Sequence, residues 1–240
     1  TNAGAVTLTG PITLMGDTSI DTDHASGTDN TISFSTTING NSSNGQDLTV
    51  AAGASTITFS GNVGSTTKLN DFTITSGTVN SGSNNFTLGG NWTNNGSFNA
   101  NGSTVTFNGT GPQLLDSGGT GDDNDFWDVV YSGTGTLSPV SNDIEIDNDF
   151  TVNVGAGTFD NATNSRNITV SGDVDIATGT YTKGNGIFTL GNNPANGTQT
   201  IDFNGNIIED LVINGAGDTK QLTGGFTADS FNVQNGTIDF

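Results

Sequence analysis

The residues Ile57-Thr58-Phe59 are followed by Ser60-Gly61-Asn62, and this short pattern runs through the whole chain. An apolar, a polar and a second apolar residue alternate here, and turn-forming residues close the phrase at once. Alternation with a period of two, in runs this short, is typical of brief β-strands rather than helices. The phrase recurs at Phe72-Thr73-Ile74, Phe86-Thr87-Leu88, Val105-Thr106-Phe107, Ile168-Thr169-Val170, Phe188-Thr189-Leu190, Ile201-Asp202-Phe203 and Phe231-Asn232-Val233. The chain is therefore predicted to be all-β.

A longer repeat lies over this short phrase. Residues 126–135 align with residues 208–217 at a constant register. This register predicts an internal duplication, roughly 88–158 and 170–240, within a single elongated domain of residues 1–240. The last phrase, at residues 236–240, stops in the middle of the pattern, so we expect the chain to be a segment of a longer protein.

Two architectures fit a repeat of this length. In a β-solenoid the unit is a block of about four coils of about 20 residues each. In tandem immunoglobulin-like β-sandwiches each unit is one small domain. The short strands, the Gly and Asn turns with only 4 Pro, and the 30% hydrophobic content favour the solenoid, which buries only narrow stacked ladders.

Composition narrows the classes of partner. The formal net charge is -20, with 4 Lys and Arg against 24 Asp and Glu. This balance argues against nucleic acid, because binding to the phosphate backbone needs clustered basic residues, and it disfavours anionic membrane surfaces. No cysteine is present, which excludes disulfides and thiolate metal sites. No apolar run reaches the length of a membrane helix, so direct membrane insertion is not expected.

Most of the chain resembles a known family, through the succession of phrases in residues 6–64 and through the later block of residues 90–98. Residues 6–14, 17–23 and 31–34 lead into residues 47–50 and 57–64 as a succession of short apolar-polar phrases and Gly or Asn turns. This succession resembles the repeats of large secreted bacterial surface proteins of the filamentous-haemagglutinin-like adhesin type. The resemblance implies a right-handed parallel β-helix that is exported and displayed. It carries over no ligand residue, because the motifs are structural.

One acidic loop is a candidate metal site. Asp122, Asp123, Asp125 and Asp128 lie close together in a Gly-containing loop. Calcium prefers such oxygen ligands on flexible loops, so these four residues are the tentative calcium ligands, with a solvated acidic loop as the alternative. The loop lacks the closing Glu of an EF-hand.

A second acidic run follows the loop. Asp143, Glu145, Asp147 and Asp149 alternate with other residues, which predicts that all four lie on the solvent face of one strand. This arrangement indicates either a bound cation or protection against aggregation, and we favour protection.

The aromatic residues predict a core. Fourteen Phe against 2 Tyr indicate internal stacking rather than a ligand face. The expected ladder residues are Phe59, Phe72, Phe86, Phe107, Phe150, Phe188, Phe203 and Phe231. Trp92 and Trp127 are candidates for contact with a ligand, and Trp127 aligns with Glu209 in the duplicated unit, which predicts an outward or loop position for it.

The sequence favours a structural role over catalysis. His24 is the only histidine, and no acid and base pair stands out among the abundant carboxylates. We expect an extracellular structural or adhesive module that forms a rigid stalk or filament at a cell surface. Its expected partners are other segments of a longer surface protein, neighbouring copies in end-to-end association, and host or matrix glycans. The alternative is a module that binds glycan, calcium or ice through one face of the solenoid.

Overall fold

The computed structural model describes residues 4–153, 155, 157–176, 179–193 and 197–240. All regular elements in this part of the chain are β-strands. They are β1 (Val6–Leu8), β2 (Ile12–Leu14), β3 (Thr18–Asp21), β4 (Ile32–Phe34), β5 (Ile38–Gly40), β6 (Leu48–Phe59), β7 (Phe72–Asn80), β8 (Phe86–Leu88), β9 (Trp92–Asn94), β10 (Ser97–Asn99), β11 (Thr104–Phe107), β12 (Pro112–Asp116), β13 (Asp128–Tyr131), β14 (Thr136–Pro139), β15 (Ile144–Ile146), β16 (Phe150–Val152), β17 (Thr158–Asp160), β18 (Ile168–Val170), β19 (Val174–Asp175), β20 (Thr180–Thr182), β21 (Ile187–Leu190), β22 (Thr198–Asp202), β23 (Ile207–Ile208), β24 (Asp210–Leu222), β25 (Thr227–Ala228) and β26 (Phe231–Asp239). No helix long and apolar enough to cross a membrane occurs among the described residues.

The strands stack in parallel into a β-solenoid of about 10 turns. One column of paired positions shows the winding, because each turn contributes one residue to it. The column runs Ile12, Ile38, Val63, Phe86, Val105, Val129, Phe150, Val174, Ile201 and Leu222. Its steps are unequal in sequence, so loops at the corners absorb the differences in coil length. The predicted solenoid is confirmed, and the alternative of tandem sandwiches is wrong, since sandwiches pair their strands antiparallel.

Two large sheets and two small ones form the walls of the solenoid. The first sheet has the order β1-β4-β6-β7-β9-β12-β14-β17-β20, with β3 and β10 joined at its side. The second has the order β15-β18-β21-β24-β22-β19-β16-β13-β11-β8, with β26 on β24. The pairs β2-β5 and β23-β25 complete the walls. The predicted duplication of residues 88–158 and 170–240 stays a prediction.

The inward residues of the short phrases form one continuous core. Phe34 stacks on Phe59 with ring centroids 4.8 Å apart, and Phe59 meets Phe86 edge-on at 5.2 Å. All the predicted ladder residues are buried except Phe231, whose side chain is 42% exposed. That prediction is wrong for Phe231 because β26 pairs only with β24 among the described strands, which leaves its other side uncovered.

Many of the acidic residues hold successive turns together at the corners. Two series of Asp and Asn residues run along the solenoid, which we call the corner files. In each corner file, an Asp or Asn side chain accepts a hydrogen bond from a backbone N–H one turn further on. The acceptors are Asp17, Asp47, Asp71 and Asn91 in one file, and Asn62, Asn85, Asp128, Asp149 and Asp173 in the other. Most of these N–H groups belong to the residue just before a strand, and the others belong to Thr104, Leu114 and Thr200 within strands. An unmet donor at such a position would destabilise the fold. Part of the negative charge therefore has a structural purpose.

One of the few cations lies inside the solenoid. The side chains of Lys220 and Asp218 are fully buried, and Lys220 Nζ lies 3.4 Å from Asp218 Oδ2. Lys220 Nζ also donates to the Gly191 carbonyl oxygen at 2.5 Å. Burial lowers the pKa of Lys220, and the nearby Asp218 opposes that shift. The pair is thus a buried ionic contact in a core that is otherwise mostly apolar.

Candidate functional site

A groove on the surface lies where three successive turns meet. Its volume is about 490 Å³. One wall is the corner after β10, and the opposite wall comes from the loop before β13 and the end of β15. The lining residues are Asn99, Ala100, Asn101, Gly102, Asp122, Asp125, Trp127 and Asp147. Three carboxyl groups and an indole ring therefore share one concave surface.

Hydrogen bonds within and between turns fix the loop that carries Asp125. Asn124 N donates to the Gly121 carbonyl oxygen at 2.7 Å, which closes a tight turn just before Asp125. Phe126 N donates to the Glu145 carbonyl oxygen at 2.9 Å, and Asp147 N donates to the Phe126 carbonyl oxygen at 2.8 Å. Phe126 is itself buried in the aromatic core. This anchoring places Asp125 beside the end of β15.

Asp125 is held among other acidic groups. Its side chain is only 7% exposed and contacts the carboxyl group of Asp147. Burial, followed by the neighbouring Asp147 and Glu145, raises the pKa of Asp125 to about 7. Glu145 Oε2 accepts a hydrogen bond from Gly121 N at 2.9 Å. The Asp125 carboxyl group can therefore keep its proton near neutral pH and hydrogen-bond to Asp147.

Trp127 forms the apolar part of the groove. Its side chain is half-buried and packs against the core. The indole N–H makes no hydrogen bond to any residue that the structure describes. The expected outward or loop position agrees with this placement at a groove edge. A ring that is held in place, with a free N–H, is a suitable contact for a ligand.

Trp92 lies in the core, and its prediction as a ligand contact is wrong. The side chain is fully buried. Its ring packs against four phenylalanines, with centroid distances between 4.8 and 5.6 Å. The sequence did not separate the two tryptophans, because Trp92 occupies an inward position of a short strand that only the pairing register defines.

The four predicted calcium ligands do not gather at one point. Asp122 and Asp125 line the groove, whereas Asp123 is exposed and does not line it. Asp128 takes part in the corner file, where it accepts hydrogen bonds from Thr104 Oγ1 at 2.9 Å and Asn148 Nδ2 at 2.8 Å. Within the described ranges, no group of three or more His, Cys, Asp or Glu side chains is arranged to hold a metal ion. The calcium assignment stays a prediction.

The second acidic run divides between two elements. Strand β15 ends at Ile146, and the chain bends at residues 147–148. Asp149 therefore lies beyond the bend, where its Oδ1 accepts a hydrogen bond from Asp173 N at 2.8 Å. The expectation that all four acids share the face of one strand is wrong, because only Glu145 lies within β15, while Asp143 precedes the strand and Asp147 and Asp149 follow it. The structure instead brings Asp147 of this run to Asp125 of the loop.

Asn99 and Asn101 belong to the site and were not found from the sequence. Asn101 has a positive φ of 48° and its side chain donates to the Asn99 carbonyl oxygen at 3.0 Å. An Asn-Ala-Asn-Gly stretch signals a corner. The sequence does not show that this corner faces the Asp125 loop, because the coils that bring the two together differ in length.

We expect acidification from pH 8 to pH 5 to stabilise the fold. The pKa of Asp125 rises from an ordinary value of 3.8 to about 7 on folding. Its stabilising contribution is therefore fully present below about pH 4 and is lost as the pH rises toward 7. One proton bound on folding gives a slope of up to about 1.4 kcal/mol per pH unit. Burial also raises the pKa of Asp149 and Asp175, which adds to the same trend. Chemical denaturation at each pH measures the slope.

The variant Asp125→Asn tests whether Asp125 causes this pH dependence of the unfolding free energy. Its amide is neutral at every pH, so the variant should exceed the parent in stability at pH 8 and approach it at pH 5. Asp210→Asn, which removes one exposed carboxylate elsewhere, serves as the control. Equal slopes in the parent and in Asp125→Asn would show that other groups carry the effect.

Comparisons of this chain with protein-family profiles, with curated proteins and with solved structures gave no match.

Proposed function

We propose that this chain is a rigid spacer, a segment of stalk or filament displayed at a cell surface. The observation that supports it is the column of ten positions from Ile12 to Leu222, in which each turn is joined to the next by parallel strand pairing. Turns that contact only their neighbours build an extended body whose stiffness comes from repeated ladders. At about 4.8 Å per turn, about 10 turns extend roughly 48 Å.

The surface is consistent with an exposed, extracellular setting. The inward phrases are apolar, while the outward positions carry Thr, Asn and Asp, and the net charge is -20. Such a surface stays hydrated and resists side-by-side association. The resemblance to repeats of filamentous-haemagglutinin-like adhesins agrees with this role. In this proposal the partners are neighbouring segments of a longer surface protein, further copies of the chain, or glycans, and the module has no catalytic activity.

Few cations are free to meet an anionic partner. Lys183 pairs with Asp229, Lys68 donates to the Asn108 carbonyl oxygen, and Lys220 is buried. The basic patch that nucleic acids or anionic membranes require has no counterpart in these contacts. We therefore propose no partner of either kind.

A distance measurement between two spin labels tests the spacer. The chain has no cysteine, so Thr13→Cys with Thr223→Cys places labels at two exposed sites only. Each site comes directly after an end residue of the ten-position column, Thr13 after Ile12 and Thr223 after Leu222. The two sites are therefore nine turns apart, which predicts a separation of about 43 Å. Electron–electron resonance should give one narrow distance distribution near that value. A broad distribution, or a much shorter distance, would contradict a rigid spacer.

A further inference from the structure

The Trp127 groove combines an aromatic ring with carboxyl groups that have no cationic partner among the described residues. The three carboxyl groups belong to Asp122, Asp125 and Asp147. The Asp125 side chain is more than nine-tenths buried, and the side-chain partner that it meets is the like-charged Asp147. Neither carboxyl group has a cationic side chain beside it among the residues that the structure describes, so a positive charge that enters from outside would favour the ionised form of the pair.

The described part of the chain supplies no such charge to the groove. No Lys, Arg or His lines it. Lys68, Lys183 and Lys220 are committed to other partners, and no cation contributes to the electrostatics of Asp125. The overall charge of -20 raises the local concentration of cations around the whole molecule. We infer that the groove binds an organic cation, a protonated amine or guanidinium the size of a lysine or arginine side chain.

The geometry favours an organic cation over a metal ion. A divalent ion requires several oxygens within about 2.6 Å of one point. The residues that the structure describes offer no set of three acidic or imidazole side chains so arranged. A volume of about 490 Å³ instead accommodates an elongated side chain. The carboxyl groups spread around such a groove suit a charge at the end of an alkyl stem.

Trp127 also favours an organic cation over a metal ion. The face of an indole ring attracts ammonium and guanidinium groups and also packs against their methylene stems. The ring is held by the core on one side and lines the groove on the other. Its free N–H can donate to a carbonyl oxygen, which a peptide that bears the cation supplies and a simple diamine does not.

Ligand-observed NMR with four small compounds tests the inference. N-acetyl-lysine methylamide and cadaverine carry the ammonium group with and without a peptide unit. N-acetyl-norleucine methylamide is the neutral analogue of the first, and glucose represents neutral glycans. We expect saturable binding of both amines, tighter for the lysine compound, and none of the neutral pair. Binding of norleucine or glucose without binding of the amines would overturn the inference, as would the absence of any binding.

Charge variants separate this site from the general acidity of the surface. Asp147→Asn should raise the dissociation constant of the lysine compound by about tenfold, because a charged hydrogen bond is lost. Trp127→Leu should raise it about 2- to 30-fold, and Trp127→Phe by less, since an aromatic face remains. Asp210→Asn, a matched loss of one exposed charge, should change it less than twofold. An equal loss in Asp210→Asn would mean diffuse attraction and would overturn the site.

A calcium titration completes the test. Calcium added to the complex with the lysine compound should compete only weakly, through screening, and sodium at equal ionic strength should act alike. Saturable calcium binding that Asp147→Asn abolishes, together with no response to amines, would overturn the organic-cation site in favour of a metal. Circular dichroism of each variant checks that the solenoid is retained.

Discussion

Lys220→Met should lower the free energy of unfolding by about 3–5 kcal/mol, although the new side chain is apolar and similar in length. The reason is Asp218, whose side chain is fully buried beside Lys220. Asp218 Oδ2 accepts a hydrogen bond from Asn193 N at 2.5 Å, while Oδ1 has no partner among the described residues. Removal of the ammonium group leaves a buried carboxylate without its counter-charge. Denaturant unfolding followed by circular dichroism measures the loss.

The double variant Asp218→Leu with Lys220→Met distinguishes an unpaired charge from poor packing. Replacement of a whole buried ion pair by apolar residues is often neutral or stabilising. We expect the double variant to be more stable than Lys220→Met alone, even though the hydrogen bond from Asn193 N to Asp218 is lost. Lys183→Met, at an exposed ion pair, should cost less than about 1 kcal/mol. Additive losses in the double variant would show that the two buried charges are not coupled.

Lys220 also marks a limit of the sequence. In the structure Lys220 and Leu222 point inward and Gln221 outward, but Lys220-Gln221-Leu222 lacks the apolar-polar-apolar phrase that predicted the other strands. By composition alone this residue counts as a surface cation. Its neighbour in the ladder, Gln199, is another polar residue turned inward, with its amide bound to backbone carbonyls. The sequence alone does not show that Lys220 and Gln199 point inward, because that depends on the pairing of the two strands.

The fold itself followed from local chemistry. In a parallel stack, every turn repeats the same local problem, so alternation and corner residues are enough to identify the class. The length of each coil could not be predicted from the sequence, because it varies along the chain. The step from Phe86 to Val105 is much shorter in sequence than the step from Val174 to Ile201. Loops absorb that variation without a change in the strands, and the sequence carries no marker for it.

The candidate site depended on this hidden register. The loop of Asp122 to Asp128 was visible as an acidic cluster, and the tentative metal site was placed there. The groove uses only Asp122 and Asp125 of that cluster and adds Asp147 from the next turn and Asn99 from the previous one. Residues one turn apart become neighbours only once the coil lengths between them are known. Asp128, by contrast, serves the hydrogen-bonded corner file.

Trp92→Ala should be the second severe variant, with a loss of about 3–5 kcal/mol in the free energy of unfolding. Trp92 is fully buried and contacts aromatic rings of the same turn and of the turns on either side. Its ring lies 5.0 Å from that of Phe72 and 5.5 Å from that of Phe126, measured between centroids. Alanine leaves a cavity that the stacked rings cannot close, because each is held by its own backbone ladder. Denaturant unfolding, monitored by the remaining Trp127, gives the value.

Trp92→Phe is the matched control for that loss. The indole Nε1 of Trp92 is buried without a hydrogen-bond partner among the described residues, so phenylalanine removes an unmet donor while it keeps most of the ring contacts. We expect this variant to lose less than about half as much stability as Trp92→Ala. If both variants were equally damaging, the indole N–H would have a partner such as a buried water molecule. If neither were, Trp92 would lie outside the core, and a contact with a ligand would again be its best interpretation.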